Sequence, residues 1–256
     1  MSTMEATPAI QLVDVDKRFG AIQVLHKVSL QIFPGEVVGL VGDNGAGKST
    51  TVKILSGALQ PDHGEMRING TRVRLDSPIV ARRQGIETVY QDLALAPHLS
   101  VIANLYLNRE ELRPGLLGRL GFLDKQRMDR DALSKLSLLR IKIKSMEQPI
   151  RELSGGQRQA IAVARAAAWG SRLVILDEPT AALGVEESQM VLDLIRRVRD
   201  HGVPVLLISH TMPHVLDVTD RIIVLRQGRV VATAKTETCT LEQIVMWITG
   251  GAVHAS

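Results

Sequence analysis

One cysteine, Cys239, occurs in 256 residues. A disulfide within the chain is therefore impossible, a cysteine-built metal site is excluded, and the usage suits a reducing compartment. Aromatic residues make up only 3% of the chain, poor material for stacking nucleic-acid bases. Charge of neither sign dominates: 31 Lys and Arg stand against 27 Asp and Glu, for a net +4. Basic residues spread in this way read as a solvated mixed surface, and no nucleic-acid partner is expected. No apolar run approaches the ~20 residues that span a bilayer. The opening MSTMEATPAI lacks the charged-then-apolar pattern of a secretory signal. Any membrane role is expected to run through a partner.

What the chain does have is a phosphate-binding pattern. Val37, Val38, Leu40 and Val41 form a short apolar run of the kind buried on both faces in a parallel sheet. Gly42, Asp43, Asn44, Gly45, Ala46, Gly47, Lys48, Ser49 and Thr50 follow, with the spacing G-x-x-x-x-G-K-S. Glycines let successive backbone N–H groups curl around one anion, and the next helix adds its unpaired N–H groups and dipole. Lys48 is placed to reach the β- and γ-phosphates and the Ser49 hydroxyl to ligate Mg²⁺. From average composition the bare pattern arises by chance in roughly one chain of this length in a hundred. Here strand and helix flank it as the motif requires.

Two further turns point to the same chemistry. Ser154, Gly155, Gly156 and Gln157 open an alanine-rich helix, with Ser154 as N-cap and backbone N–H groups left open at the helix start. No strand of the phosphate-loop kind feeds this turn, so it suits a phosphate held elsewhere. The apolar run at residues 173–176 delivers Asp177 and Glu178 to a strand end, the edge at which open α/β sheets bind ligands. There Asp177 is placed to hold Mg²⁺ and Glu178 to take a proton from an attacking water. A second buried strand, residues 203–208, ends at His210, which suits a γ-phosphate contact. His214 follows four residues later, but Pro213 intervenes and no Glu follows His210, so the pair does not read as a zinc site.

Around these motifs the pattern predicts strands over 10–15 and 24–33, the first ended by a Lys17-Arg18-Phe19-Gly20 turn. Phe19 either stacks on a base or is a partly buried edge residue. Strands at 65–68 and 72–75 are joined by Asn69-Gly70, a strong hairpin signal. From about 92 to 152 the character changes to Leu- and Arg-rich helical spacing, as in Ile102, Leu105, Leu107 and Leu133, Leu136, Leu139. This reads as a helical subdomain inserted in a core of residues 1–91 and 153–256. A hairpin about Gln227-Gly228 and a helix at 241–248, with Ile244, Trp247 and Ile248 as core, close the chain. His26, His63, His98, His201 and His254 are expected on the surface or in loops.

The phosphate loop, LSGGQRQ, LVILDEPT and a lone strand-end His, in that order and spacing, resemble the ATP-binding subunit of ABC transporters. The likeness covers essentially the whole chain. It implies an ABC-type P-loop NTPase: a mixed α/β core, an antiparallel β subdomain and an inserted helical subdomain. It implies ATP and Mg²⁺ as ligands and Phe19 as the residue stacking on adenine. Residues 42–50 correspond to the Walker A loop. Gln91 corresponds to the Q-loop glutamine that touches metal and water, so that the metal's protein ligands are Ser49, Gln91 and Asp177. Residues 154–157 correspond to the signature that closes on ATP bound to the other subunit, Glu178 to the catalytic base and His210 to the switch histidine. GDNGAGKST, GIETVYQDLALAPHLSVIANLYL and DEPTAALGVEES look like the monosaccharide-import branch, and its single-domain fructose-import type in particular.

That resemblance implies a head-to-tail homodimer on the cytoplasmic face of the inner membrane. Its partners would be permease subunits and, indirectly, an extracytoplasmic sugar-binding protein. A soluble ABC ATPase without a permease, or an exporter ATPase, are the alternatives. One position departs from the family: Gly184 stands where an Asp usually ends the loop after the catalytic Glu, which puts communication between the two ATP sites in question.

Overall fold

The computed structural model describes residues 7–251. In chain order the first half comprises β1 (Ile10–Phe19), β2 (Ile22–Ile32), β3 (Val37–Val41), α1 (Lys48–Leu55), β4 (His63–Ile68), β5 (Thr71–Val73), α2 (Pro78–Arg83) and β6 (Ile86–Val89). Three helices follow without a strand: α3 (Val101–Leu105), α4 (Leu116–Arg119) and α5 (Lys125–Leu138). The second half comprises α6 (Gly155–Trp169), β7 (Leu173–Asp177), α7 (Val185–Asp200), β8 (Val205–Ile208), α8 (Met212–Val218), β9 (Arg221–Arg226), β10 (Arg229–Lys235) and α9 (Leu241–Thr249).

The strands form two sheets. One is antiparallel, in the order β2-β1-β4-β5. The other runs β10-β9-β3-β8-β7-β6, parallel except for the β10 edge. The two-residue period of a strand decides what each face covers. Val38 and Leu40 of β3, Leu173 and Ile175 of β7 and Leu206 and Ile208 of β8 join α1 and the antiparallel sheet in one buried cluster. Their neighbours Val37, Val174, Leu176, Val205 and Leu207 face the opposite way, onto α6 and α7. These strands therefore read as unbroken apolar runs because both faces are covered.

Three local expectations need correction. The Lys17-Arg18-Phe19 segment is strand, not turn: β1 continues to a Phe19–Ile22 pairing, with register shifts that absorb the twist. In α5 the buried stripe is Met128, Ala132 and Leu136, and it continues to Leu139; Leu133 points to solvent. Leu136 and Leu139 are buried as expected; at the position before them the i, i+4 stripe takes Ala132, so only Leu133 departs from the expected face. In α9 only Ile244 is fully buried, while Trp247 and Ile248 pack half-buried against it. His63, His98 and His201 are exposed, His26 is half-buried in β2, and His254 lies outside the described residues.

The helical segment joins the core through α6. The Tyr106 ring stands edge-on to Trp169 at 5.6 Å between centroids. Lys135 Nζ lies 4.0 Å from the Trp169 ring centroid, and the Arg109 guanidinium lies 4.9 Å from it. Arg109 also pairs with the buried Glu87 of β6. Asn104, fully buried in α3, accepts from the Ala96 N–H at 2.7 Å and donates to the Ala96 carbonyl at 3.0 Å, tying down the loop that follows β6.

Candidate functional site

The turn from β3 into α1 is shaped by what presses on it. Gly42, Gly45 and Gly47 have φ of 153°, 79° and 105°, all in the region that favours glycine. A side chain on Gly42 would run into the Leu225 carbonyl of β9, and one on Gly47 would lie 2.6 Å from Leu25 Cδ2 of β2. The loop is therefore clamped between both sheets. Lys48 is buried, and its Nζ donates to the carbonyls of Gly42 at 2.7 Å and Asp43 at 2.9 Å. Burial lowers its pKa, opposed by the charges of Glu178, Asp43 and Asp177. Asp43, Asn44, Gly45 and Ser49 are exposed, Thr50 is half-buried, and Ala46 packs inside. The first N–H groups of α1 have no carbonyl one turn back and remain available to an anion.

Two strands away, β7 ends at Asp177, which pairs in register with Ile208 of β8. The Glu178 N–H then bonds the Ile208 carbonyl at 2.9 Å, and Glu178 adopts φ +52°. A non-glycine residue held there by the next strand is strained, a feature typical of functional sites. One Glu178 oxygen lies 3.4 Å from His210 Nε2, yet it is buried and has no aligned hydrogen bond among the described residues. Burial pushes both the Asp177 and Glu178 carboxyls above the ordinary carboxylate range. His210 opposes that shift at Glu178, and Lys48 opposes it first at Asp177. A carboxylate with a buried oxygen that lacks an aligned partner is a place prepared for an incoming proton or cation.

The residues present fit a magnesium ion. The Ser49 hydroxyl and the Asp177 carboxylate are hard oxygen donors, and Mg²⁺ takes few protein ligands beside phosphates and water. Among the described residues there is no cluster of three or more His, Cys, Asp or Glu able to hold a metal.

The other predicted residues sit apart. Ser154 caps α6 in a full capping box, its hydroxyl accepting from the Gln157 N–H and the Gln157 side chain from the Ser154 N–H. Ser154 and Gln157 are exposed; Gly155 is half-buried and Gly156 buried. No hydrogen bond or ion pair joins residues 154–157 to Lys48, Glu178 or His210 within the described chain. Gln91 lies exposed just beyond β6, and Phe19 is 48% exposed at the end of β1, with Lys17 Nζ 5.8 Å from its ring. Gly184 is the exposed N-cap of α7 and offers no side-chain cap.

Sequence reading missed two groups. His214 Nδ1 contacts the Thr180 hydroxyl at 3.0 Å, binding α8 to the loop after Glu178. The Gly156 N–H donates to Glu187 Oε1 at 3.1 Å. The only local signal for Glu187 was two acids in the first turn of α7, which is ordinary helix chemistry.

A lysine seated in a glycine-rich loop, with two half-buried acids at the end of the next strand but one of the same sheet, defines a P-loop nucleoside triphosphatase. Sequence comparison makes the assignment specific: the family profile described as ABC transporter matches residues 25–181, and the chain belongs to that family, as an ATPase of the ABC type. It is 47% identical over 249 residues to the fructose import ATP-binding protein FrcA of Rhizobium meliloti, covering 96% of each chain. It is 43% identical over 244 residues to the xylose/arabinose import ATP-binding protein XylG of Sulfolobus acidocaldarius, covering 95% of each. Against ribose import ATP-binding protein RbsA 1 of Burkholderia ambifaria it is 38% identical over 252 residues, 98% of this chain but 48% of that one. Among solved structures it resembles a dimeric post-hydrolysis ATP-binding cassette bound to ADP and Pi, with TM-score 0.72, 27% identity and coverage of 89% and 98%.

Proposed function

We propose that two copies of this chain form a head-to-tail pair that hydrolyses ATP to drive monosaccharide uptake through a partner permease. The observation that carries the reading is the division of the site. Lys48, Asp177, Glu178 and His210 are gathered at one sheet edge, while the turn at residues 154–157 makes no hydrogen bond or ion pair with them and exposes Ser154 and Gln157. A second subunit related by a twofold axis would bring its exposed turn onto the first subunit's ATP. The sugar is inferred from the relatives named for fructose, xylose/arabinose and ribose import, the first two matched over 96% and 95% of their length.

In this reading the loop of residues 42–50 cradles the phosphates, Lys48 leaves its two carbonyls for the γ-phosphate, and Phe19 stacks on adenine. Mg²⁺ when bound, on Ser49 and Asp177 with Gln91 beside them, neutralises charge on the β- and γ-oxygens. Glu178 orients the attacking water and takes its proton, and His210 holds the carboxylate and contacts the γ-phosphate. Ser154, Gly155, Gly156 and Gln157 complete the partner's site. The core of residues 1–91 and 153–256 carries a helical subdomain of about 92–152. The cleft between them, lined by Arg82, Glu87, Ala94, Arg109, Arg165 and Trp169, receives a cytoplasmic helix of the permease next to the segment 92–105. Among the described residues no helix is long and apolar enough to cross a membrane, which suits a peripheral subunit at the cytoplasmic face of the inner membrane.

Glu178→Gln tests the chemistry: nucleotide binding stays intact and turnover falls at least about tenfold. Near-normal turnover would remove Glu178 from the role of base. The same variant, trapped with MgATP and recovered from detergent-extracted membranes, should bring down a multi-span membrane protein in stoichiometric amount. Recovery of soluble partners alone would favour an ATPase without a permease.

A further inference from the structure

The signature turn already holds an anion, supplied by its own chain. Glu187 is the third residue of α7, and Gly184 gives that helix no side-chain cap. The glutamate side chain bends across to α6, where the Gly156 N–H donates to its Oε1 at 3.1 Å. The fit is close: a Cβ on Gly156 would lie 2.8 Å from Glu187 Cβ and 2.9 Å from its Cγ, and one on Gly155 would lie 3.8 Å from Oε2. The Gly156 N–H first, then the Ser154 hydroxyl, hold the Glu187 carboxyl below the ordinary carboxylate range, so it carries its full charge at neutral pH. These are the donors that a phosphate arriving at the start of α6 would use. A carboxylate and a phosphate cannot both occupy them, because the N–H is single and the charges are alike.

We propose that Glu187 gates the signature turn: its carboxylate occupies the place of the γ-phosphate of ATP on the partner subunit and must swing off Gly156 before two subunits close. The inference rests on the shared-ATP reading above. Only the carboxylate has to move, since the Glu187 Cβ and Cγ form the floor beneath Gly156. The contact makes closure responsive to ATP concentration, because an empty partner offers nothing to displace the carboxylate. Glu187 is therefore a positioning and gating residue; the reacting atoms stay with Lys48, Glu178 and His210.

The test is dimer formation followed by light scattering in a MgATP titration of Glu178→Gln and of Glu178→Gln/Glu187→Gln. Glutamine keeps the size and an acceptor oxygen and removes the charge. The ATP concentration for half-maximal dimer should fall at least threefold, while affinity of the monomer for a fluorescent ATP analogue stays unchanged. Glu187→Ala in the same background should shift the titration in the same direction, which separates a gate from a strut: a strut would make both variants need more ATP. An unchanged or raised requirement with either variant overturns the gate and leaves the shared site standing. If Glu178→Gln stays monomeric at saturating MgATP with Glu187 present and with it replaced, the shared-ATP reading fails and the gate with it.

Discussion

Two turns in this chain offer backbone N–H groups to an anion by the same physics, and they are held in opposite ways. The loop at residues 42–50 is pressed from two sheets, with Leu225 and Leu25 against Gly42 and Gly47 and a buried lysine folded onto its own carbonyls. The turn at residues 154–157 is an exposed helix cap of ordinary backbone geometry, with one carboxylate from a neighbouring helix on its donors. The first is preorganised by the core and must be right in every copy of the chain alone. In the proposed pair of subunits the second is half of a site, completed by the partner's ATP. A phosphate loop can therefore be read from its glycine spacing, while a signature turn has to be read together with whatever covers it.

The comparison can be broken most severely at the clamp. Gly42→Ala forces a methyl against the Leu225 carbonyl at positive φ. The expected cost is about 3 kcal/mol or more, seen as a large fall in melting temperature together with loss of ATP binding by the monomer. A stable variant that binds ATP normally would show that the loop is less constrained than the sheets suggest.

Gly156→Ala probes the other turn. Its methyl would lie 2.8 Å from Glu187 Cβ and 2.9 Å from its Cγ, so α6 and α7 must part slightly; with no positive φ and no backbone carbonyl in the way the expected destabilisation is milder than at Gly42, about 1–3 kcal/mol. Monomer ATP affinity should stay as in the parent chain while turnover falls roughly tenfold, about 1.4 kcal/mol in the barrier. Equal losses in both quantities would mean that the two turns are not independent.

Acid–base behaviour sharpens the contrast further. Burial raises the Glu178 and Asp177 carboxyls, so the folded chain binds those protons more tightly than the unfolded chain does. Their contribution to the stability of the nucleotide-free protein is present in acid and is lost as pH rises through the raised values. Glu178→Gln should accordingly raise the melting temperature near neutrality, modestly, while it lowers turnover. In the parent chain turnover should fall with decreasing pH at a value above the ordinary 4.5 of Glu. A melting temperature lowered by Glu178→Gln would mean that the carboxylate is paired more strongly than its geometry shows.

The smallest effect is expected at the family departure. Gly184 has φ −68° and ψ 170°, an extended backbone open to any residue, and nothing lies within 4 Å of a Cβ there. Gly184→Asp should cap α7 and stabilise the fold by a few tenths of a kcal/mol, read as a small upward shift in melting temperature. A fall would show that the carboxylate meets Glu187 unfavourably at the same helix start.

Much of this was legible because local chemistry and site coincide. Gly42 to Ser49, Asp177 with Glu178, and His210 each lie at the end of an apolar run, and a strand's end is a short-range property. The order of the strands was not legible. Nothing near β3 announces that β8 and β9 are its neighbours, and Leu133 misled because leucine count outweighed the i, i+4 stripe of Met128, Ala132 and Leu136. Glu187 was invisible for a similar reason: its partner Gly156 stands 31 residues away, and acids in a first helical turn are commonplace. The extension of β1 through Lys17 and Arg18 was lost to composition, since two basic residues and a glycine imitate a turn when the pairing strand is not in view.

The position of β3 between β8 and β9 also has a consequence for synthesis. The Val37 N–H is held by the Asp220 carboxylate, 183 residues later in the chain, and the Gly42 clamp comes from Leu225 of the same late strand. The motif is translated early, yet one of its two walls arrives almost last. A ribosome-bound chain that has emerged only as far as β7 carries the whole glycine-rich sequence and its β2 wall, but neither flanking strand of β3 nor the Leu225 carbonyl that closes on Gly42. Long-range pairing of this kind slows folding and leaves strand edges exposed meanwhile. Nucleotide capture is then expected to mark a chain complete through β9, and one cut short before that strand is expected to bind ATP weakly.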